Sequence, residues 1–410
     1  MELNLLAFAI PIFLLLMVLE YLIAKRRRVT IHSKAASVAN ISICLAERLS
    51  DFFVAPLFFQ LYKYIHEHFG IFDIRSNVGW WILLLLFTDF IWYWYHRLAH
   101  EVNLFWAVHV VHHQSEEFNY TVSARITVFQ AFVRFGFWSI LPLLGFPAEM
   151  IVALLLIHGA YPFFTHTQLV GRLGILEYLL VTPSHHRVHH ASNEQYLDKN
   201  YGDVFIIWDK LFGTFAKEVE APTYGLTKPL HSYSFLWQHF HFFVELWMAI
   251  KKERSFLARC RSLFGSPGRF SASHRQHAEE LVGIRKRHQF VPASSQLMSR
   301  YVIWQIGFTM LAVFGLLLFE TQIGMREAFL WSAIILVSLI NIGAILEQRQ
   351  WIFYLEFVRG LFMLVLVLPY LAFGWLLVPL ACAAVWLFWR FEQTERRYLQ
   401  LVYQQHRTRE

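Results

Sequence analysis

Along the 410-residue chain, apolar runs close to the length of a bilayer crossing alternate with short charged breaks. Leu3 to Ala24 is apolar apart from Asn4 and Glu20, and Lys25-Arg26-Arg27-Arg28 follows it. A cleavable leader carries its positive charge first and a small-residue cleavage site after. This segment therefore reads as a retained helix, with its C-terminal end in the cytosol under the positive-inside rule. A second helix is predicted from about Val38 to Ile65, with Glu47, Arg48 and Asp51 inside it. Charged residues so placed face protein or a cavity. A third runs from about Val78 to His100; its first half, Trp80 to Phe87, is lipid-like, and its aromatic second half begins at Asp89. Exit through the second helix and return through the third would put the stretch after His96 on the cytosolic face.

Two further apolar blocks, Ile126 to Leu144 and Ala148 to Phe164, are separated by Pro142 and the Gly145-Phe146-Pro147 turn. They read as a membrane hairpin returning to the same face. Leu173 to Val181 is too short to cross. From Ala191 to Arg300 the chain is largely polar, and Lys251, Lys252, Arg254, Arg259, Arg261 and Arg285-Lys286-Arg287 make it basic. That suits a surface near anionic headgroups, with Phe235 to Ile250, His239 and His241 expected at the interface. Apolar blocks at 301–319, 329–346, 353–373 and 375–389 precede a charged tail. The expected division is 1–77 (N-terminal membrane helices), 78–230 (catalytic region), 231–300 (interfacial basic segment), 301–390 (C-terminal membrane helices) and 391–410 (tail). The fold class is all-α, a multi-pass transmembrane helical bundle.

Composition strengthens the membrane reading. Hydrophobic residues make up 57% and charged residues 16%, with a mean hydropathy of +0.41, against about 25% charged in soluble domains. The formal charge of +7 is then loop Lys and Arg rather than a nucleic-acid footprint. Cys44, Cys260 and Cys382 are far apart without a CxxC, so neither a disulfide framework nor a thiolate metal site is indicated.

The chemistry lies in the histidines. Eleven of the 21 fall between His96 and His190. They form one HxxxH (His96, His100) and two HxxHH motifs (His109, His112, His113 and His186, His189, His190), all where apolar segments end. On a helix, residues three or four apart share a face, so each motif is expected to aim two or three imidazoles at one spot. At least eight converging imidazoles are enough for two metals with open positions, and imidazole suits Fe, Zn, Cu and Ni. Beside lipid-facing helices, such a centre points to O2 activation at iron. An aliphatic C–H bond offers nothing to acid, base or nucleophile, so a cofactor must supply the oxidant. Asp89, seven residues before His96 on nearly the same helical face, is the expected acceptor for a ligand's second ring N–H. A metal transporter is the rival of another class, but transporters place ligands at mid-bilayer within paired repeats. Here the histidines sit at helix ends and no repeat is visible.

Asp89-Phe-x-x-Tyr-Trp-x-His96-Arg-x-x-His100, His109-x-x-His112-His113 and Thr182-Pro-Ser-His-His186-Arg-Val-His189-His190 resemble the fatty acid hydroxylase/sterol desaturase superfamily. Asn200-Tyr201-Gly202 and Trp208-Asp209-x-Leu-Phe-Gly213-Thr214 fit it too. The resemblance implies two Fe ions held by His96, His100, His109, His112, His113, His186, His189 and His190, with O2 and an external electron donor. A further family histidine lies between the last two motifs. His166, in Phe-Phe-Thr-His166-Thr, is the choice for it and His158 its competitor, whereas His185 lies beside the motif and is left out. Within the superfamily the pattern is most similar to the branch that cleaves O-alkylglycerol ethers, which implies a membrane lipid substrate and tetrahydrobiopterin as reductant. It also places Glu101, directly after the HxxxH, where that branch holds its pterin, although an ion pair to Arg97 or Arg125 accounts for Glu101 equally well. Sterol or carotenoid hydroxylation or desaturation is the alternative within the superfamily. The expected location is the endoplasmic reticulum in a eukaryote or the inner membrane in a bacterium, with the active site facing the cytosol.

Overall fold

A computed structural model describes residues 3–269, 272–281, 296–347, 349, 351–367 and 377–403. Among these residues the secondary structure is helical, apart from two isolated bridges, Leu180 with Phe205 and Ala191 with Tyr224. Two compact units can be distinguished. The larger comprises the described residues of 10–231 and 238–287, and the smaller those of 1–9, 232–237 and 288–410.

The larger unit starts with α1 (Ala9–Arg26). Next come α2 (Lys34–Phe69), α3 (Val78–Glu101) and α4 (Asn103–His109), which runs into a 3-10 turn at Val110–His113. Local chemistry sets the starts: Ser33 Oγ accepts the Ala36 N–H at α2, and Asn77 Oδ1 accepts the Trp80 N–H at α3. After the short α5 (Tyr120–Ser123), the stretch expected as one apolar block, 126–144, is broken into α6 (Gln130–Trp138) and α7 (Ile140–Leu144). Gly145, at φ 102°, closes α7 where a Cβ would run into the Phe72 carbonyl. Then follow α8 (Ala148–Thr165), α9 (Pro183–His189), α10 (Ile207–Phe212), α11 (Phe235–Lys252), α12 (Phe256–Phe264) and α13 (Ala272–Leu281).

Helix α2 packs on α6, α7 and α8, and α3 on α4, α6 and α8. Their shared core is aromatic and aliphatic, with Trp138, Tyr62, Tyr95, Leu84 and Ile151 fully enclosed. Tyr62 is buried because its hydroxyl donates to the Phe135 carbonyl at 2.7 Å. This core fixes the C-terminal halves of α3 and α8, from which the histidines project.

Among the described residues, five helices are long and apolar enough to cross a membrane: Leu5–Arg26, Val78–Glu101, Ala148–Thr165, Arg300–Leu318 and Met325–Leu346. They carry exposed Leu, Ile and Phe, such as Leu15, Leu19, Ile82 and Ile157, as lipid-facing surfaces do. Helix α2 is not among the five. Its Glu47, Arg48 and Asp51 interrupt the apolar run, and Arg134 of α6 joins them, its guanidinium 3.3 Å from Asp51 Oδ1. The expected hairpin likewise reduces to one spanning helix, since Gln130–Leu144 is short and kinked.

In the smaller unit, α14 (Gln296–Leu318) packs against α15 (Met325–Leu346), and α15 against α16 (Ile352–Val367). The blocks expected at 353–373 and 375–389 fall partly outside the described residues. Within them α16 and α17 (Leu377–Trp389) are formed, and α18 (Phe391–Tyr403) takes up the start of the charged tail. The basic cluster Arg285-Lys286-Arg287 also lies outside the described residues.

Candidate metal centre

Nine histidines from five segments meet inside the larger unit. His96 and His100 end α3, His109 ends α4, and His112 and His113 lie in the turn after it. His166 follows the last residue of α8, and His186, His189 and His190 come from α9 and its end. They fall into two groups: His96, His100, His109, His113 and His189, and His112, His166, His186 and His190. Within each group the facing nitrogens lie within 4.8 Å of one another.

The grouping sharpens one expectation. Each HxxHH motif aims two of its three rings at one group and the third at the other: His109 and His113 enter the first group and His112 the second, while His186 and His190 enter the second and His189 the first. Adjacent residues on a helix or 3-10 turn point about 100–120° apart, so one ion cannot collect both members of an HH pair. Each motif instead straddles the two groups, and the His113 and His190 rings stack at 4.4 Å between them.

The ring orientations show what the nitrogens are for. Nδ1 of His96 points at the Tyr201 carbonyl (2.8 Å), that of His112 at Arg125 (3.2 Å), that of His166 at Pro162 (2.6 Å) and that of His189 at Lys199 (3.0 Å). A carbonyl only accepts, so these Nδ1 atoms carry the proton and each neutral ring turns an Nε2 lone pair inward. His166 Nε2 lies 3.0, 3.2 and 3.3 Å from Nε2 of His186, His190 and His112; His109 Nε2 lies 3.1 and 3.2 Å from those of His96 and His113. Two imidazoles binding one ion at about 2.0–2.1 Å and at 90–110° to each other have nitrogens about 2.9–3.4 Å apart. Lone pairs converging at that spacing fit a cation between them. The carbonyl partners supply the outer support that metal-bound histidines need.

Electrostatics agrees. Burial, with neighbouring imidazoles adding to it, holds His109, His112, His113, His186, His189 and His190 well below the ordinary histidine value, and burial takes His166 to about 3. Neutral imidazole is the ligating form.

The loop 200–209 carries much of this support. Asp209 accepts the N–H groups of Tyr201 (2.7 Å) and Gly202 (2.8 Å) and the Thr214 hydroxyl (2.7 Å). A Cβ on Gly202 would press on the Phe205 carbonyl and on Asp209 itself. Arg187, inside the last motif, forks onto Glu218 at 2.8 and 2.7 Å and also donates to the carbonyls of Thr167 and Val170, steadying the residue after His166.

Other candidate residues lie outside the two histidine groups. Asp89 does not accept from His96. Seven residues are about 10 Å along a helix, so Asp89 shares His96's face at another height. There it takes Val204 N, Phe205 N, Trp208 Nε1 and His158 Nε2 at 2.8–3.1 Å. His158 is thus in neither histidine group and lies with Asp89 and Asp203. His185 caps α9, its Nδ1 accepting the Thr182 N–H. Glu101 is exposed at the end of α3, 2.9 Å from Arg97. His239 and His241 are buried rather than interfacial, because α11 packs on the site. Gln238 and Gln114 both accept from the buried Arg125 guanidinium, and Arg125 also donates to Asn40 and to the Val111 carbonyl. The roles of the buried Arg125 and Gln238 carried no sequence signal, because Arg125 ends a polar stretch that looks like loop and Gln238 sits in an aromatic run that looks interfacial.

A cavity of about 420 Å3 opens onto His100, His113, His189 and His190. Trp106 and Phe242 give it apolar wall, and Asp198, Lys228 and the Glu245–Arg275 ion pair (2.9 Å) give it polar lining.

With that geometry in place, the likenesses to known proteins can be read. Residues 81–214 match the fatty acid hydroxylase family, a stretch holding every histidine of both groups. The human alkylglycerol monooxygenase is 33% identical over 393 residues, covering 92% of this chain and 87% of that protein. The chain belongs to the fatty acid hydroxylase family. The alkylglycerol monooxygenase of Danio rerio is also 33% identical, over 89% of this chain and 84% of its own length. An ornithine lipid hydroxylase of Rhizobium tropici is 31% identical over 33% of this chain and 41% of its own. No solved structure matches the chain. As a member of this family the protein is an oxidoreductase with membrane-spanning helices.

Proposed function

We propose that the protein is a di-iron lipid monooxygenase that cleaves O-alkylglycerols. The observation that carries this reading is the pair of inward-facing histidine groups, five and four strong, with a cavity walled in part by Trp106 and Phe242 opening onto them. Nine imidazoles would hold two irons, which when bound supply the reductive activation of O2 that attack on an unactivated C–H bond needs. His96, His100, His109, His113 and His189 would hold one, and His112, His166, His186 and His190 the other.

The chain's own residues do the rest. Carbonyls of Tyr201, Arg125, Pro162 and Lys199 keep the rings in the ligating tautomer. Trp106 and Phe242 offer the lipid's apolar part a surface, and the polar side chains of the cavity suit a glycerol headgroup. In the overall reaction O2 and two reducing equivalents with two protons put one oxygen into the C–H bond beside the ether oxygen and release the other as water. The hemiacetal so formed breaks its C–O bond, giving glycerol and a fatty aldehyde. Tetrahydrobiopterin is the proposed reductant. Glu101 is next to His100, and its neighbour in charge, Asp198, lies on the cavity wall. A carboxylate there would accept two N–H bonds from a pterin edge.

The test is purified protein in lipid nanodiscs with iron, tetrahydrobiopterin, O2 and an alkylglycerol. Aldehyde release by wild type and its loss in His112→Ala at equal protein level is expected. Turnover of a sterol with the ether lipid untouched would move the chain to the sterol-oxidising branch. A chain that binds no metal would end the proposal altogether.

A further inference from the structure

Asp89, His158 and Asp203 form a third buried group of potential ligands, 0%, 2% and 4% exposed, apart from the nine histidines. Its bonding differs in kind from theirs. His158 Nε2 lies 2.9 Å from Asp89 Oδ1, and Nδ1 lies 2.9 Å from Asp203 Oδ2. Each Asp89 oxygen already has two donors: Val204 N and His158 on Oδ1, Phe205 N and Trp208 Nε1 on Oδ2. No lone pair is left for an ion. The Asp89 contact is a hydrogen bond and the Asp203 contact an ion-pair approach, and a ring with a carboxylate oxygen 2.9 Å from each nitrogen is charge-matched when both nitrogens carry protons. Burial pushes the Asp203 carboxyl up to about 6 against the pull of His158, which leaves it ionised at neutral pH.

We propose that His158 is a positioning residue: an imidazolium clamped between Asp89 and Asp203, which sets the spacing of the two histidine groups instead of ligating either. The three elements it joins are those that matter. Asp89 is on α3, two turns before His96 of the first group. His158 is on α8, whose end presents His166 of the second. Asp203 belongs to the loop whose Tyr201 carbonyl orients His96. A cation between two carboxylates ties all three where water cannot screen it. The inference rests on the two-metal reading above.

The experiment uses the full chain in nanodiscs, counting bound iron and timing its release to a chelator for wild type, His158→Ala, His158→Lys and His166→Ala. Wild type must first bind two ions; if it binds none, the two-metal reading fails and not this one alone. His158→Ala is expected to load both ions and release them on the order of ten- to a hundredfold faster, the range seen when support around metal ligands is removed. His158→Lys, which keeps a cation between the acids, should recover most of that retention, whereas His166→Ala loses one ion. One ion in His158→Ala, wild-type release, or Lys no better than Ala would each overturn the assignment. Should the variants not fold, the wild type carrying 15N-labelled histidine rings decides. A buried ring with both N–H signals at neutral pH, missing in material lacking His158, is expected, and its absence overturns the proposal.

Discussion

His166 Nε2 faces His186 Nε2 at 3.0 Å, across a gap of 20 residues in the chain. The Pro162 carbonyl leaves His166 with its Nε2 lone pair turned inward, so the contact fits a shared cation better than a hydrogen bond. His166→Ala should therefore leave the five-histidine group loaded and empty the four-histidine group, lowering bound metal from about two to about one per chain. Elemental analysis of purified protein checks this. An unchanged count would remove His166 from the ligand set.

Asp89 has the opposite character, acting through hydrogen bonds alone. Replacing it by Asn keeps the shape but presents an NH2 group to N–H donors and strands the His158 charge beside Asp203. Breaking a buried charged pair in this way costs about 3–5 kcal/mol. Asp89→Asn should thus lower the unfolding midpoint in detergent with iron present or absent, because its role precedes metal binding. Destabilisation confined to the iron-loaded protein would instead mean that Asp89 acts on the metals.

The contrast between these two residues shows how far the chain could be read. The HxxxH and HxxHH spacings name eight of the nine grouped histidines because ligand spacing on a helix is local, and His166 stood out beside an apolar block's end. What partners Asp89 is not local. His158 lies 69 residues away and Trp208 lies 119 away, so only the folded chain brings them in. The same holds for α11, whose aromatic run looked interfacial although Gln238 and Glu245 face inward and are buried. Helix α2 looked like a span with three charges in it. Their partner Arg134 lies on a helix that sequence periodicity merged into one long block.

Glu101 invites a kinetic rather than a structural prediction. Its pair with Arg97 is near the surface, where such a contact contributes about 0–1 kcal/mol. Glu101→Gln should leave stability and bound iron as in wild type. If the carboxylate accepts from a pterin, losing a charge-assisted bond of about 1.5–3 kcal/mol raises the KM for tetrahydrobiopterin roughly ten- to a hundredfold. Steady-state assays varying pterin at saturating lipid check this, and an unchanged KM would leave Glu101 as half of an ion pair only.

The buried histidines also predict how the metal-free chain answers to acid. Those outside the spanning helices have folded values well below an unfolded value of about 6.5, with His166 at about 3. Between the two values the unfolded chain binds more protons than the folded one, so stability rises with pH there. The stability due to neutral burial is thus fully present above about pH 7. It falls as pH drops through about 6.5 and continues to fall towards 3. Thermal unfolding of chelator-treated protein from pH 8 down to pH 5 should show a flat midpoint at the alkaline end and a steepening loss below about 6.5. Iron should delay that loss to lower pH, since a bound ion competes with protons for the same lone pairs. A midpoint that rises on acidification would mean that these rings are charged in the folded chain.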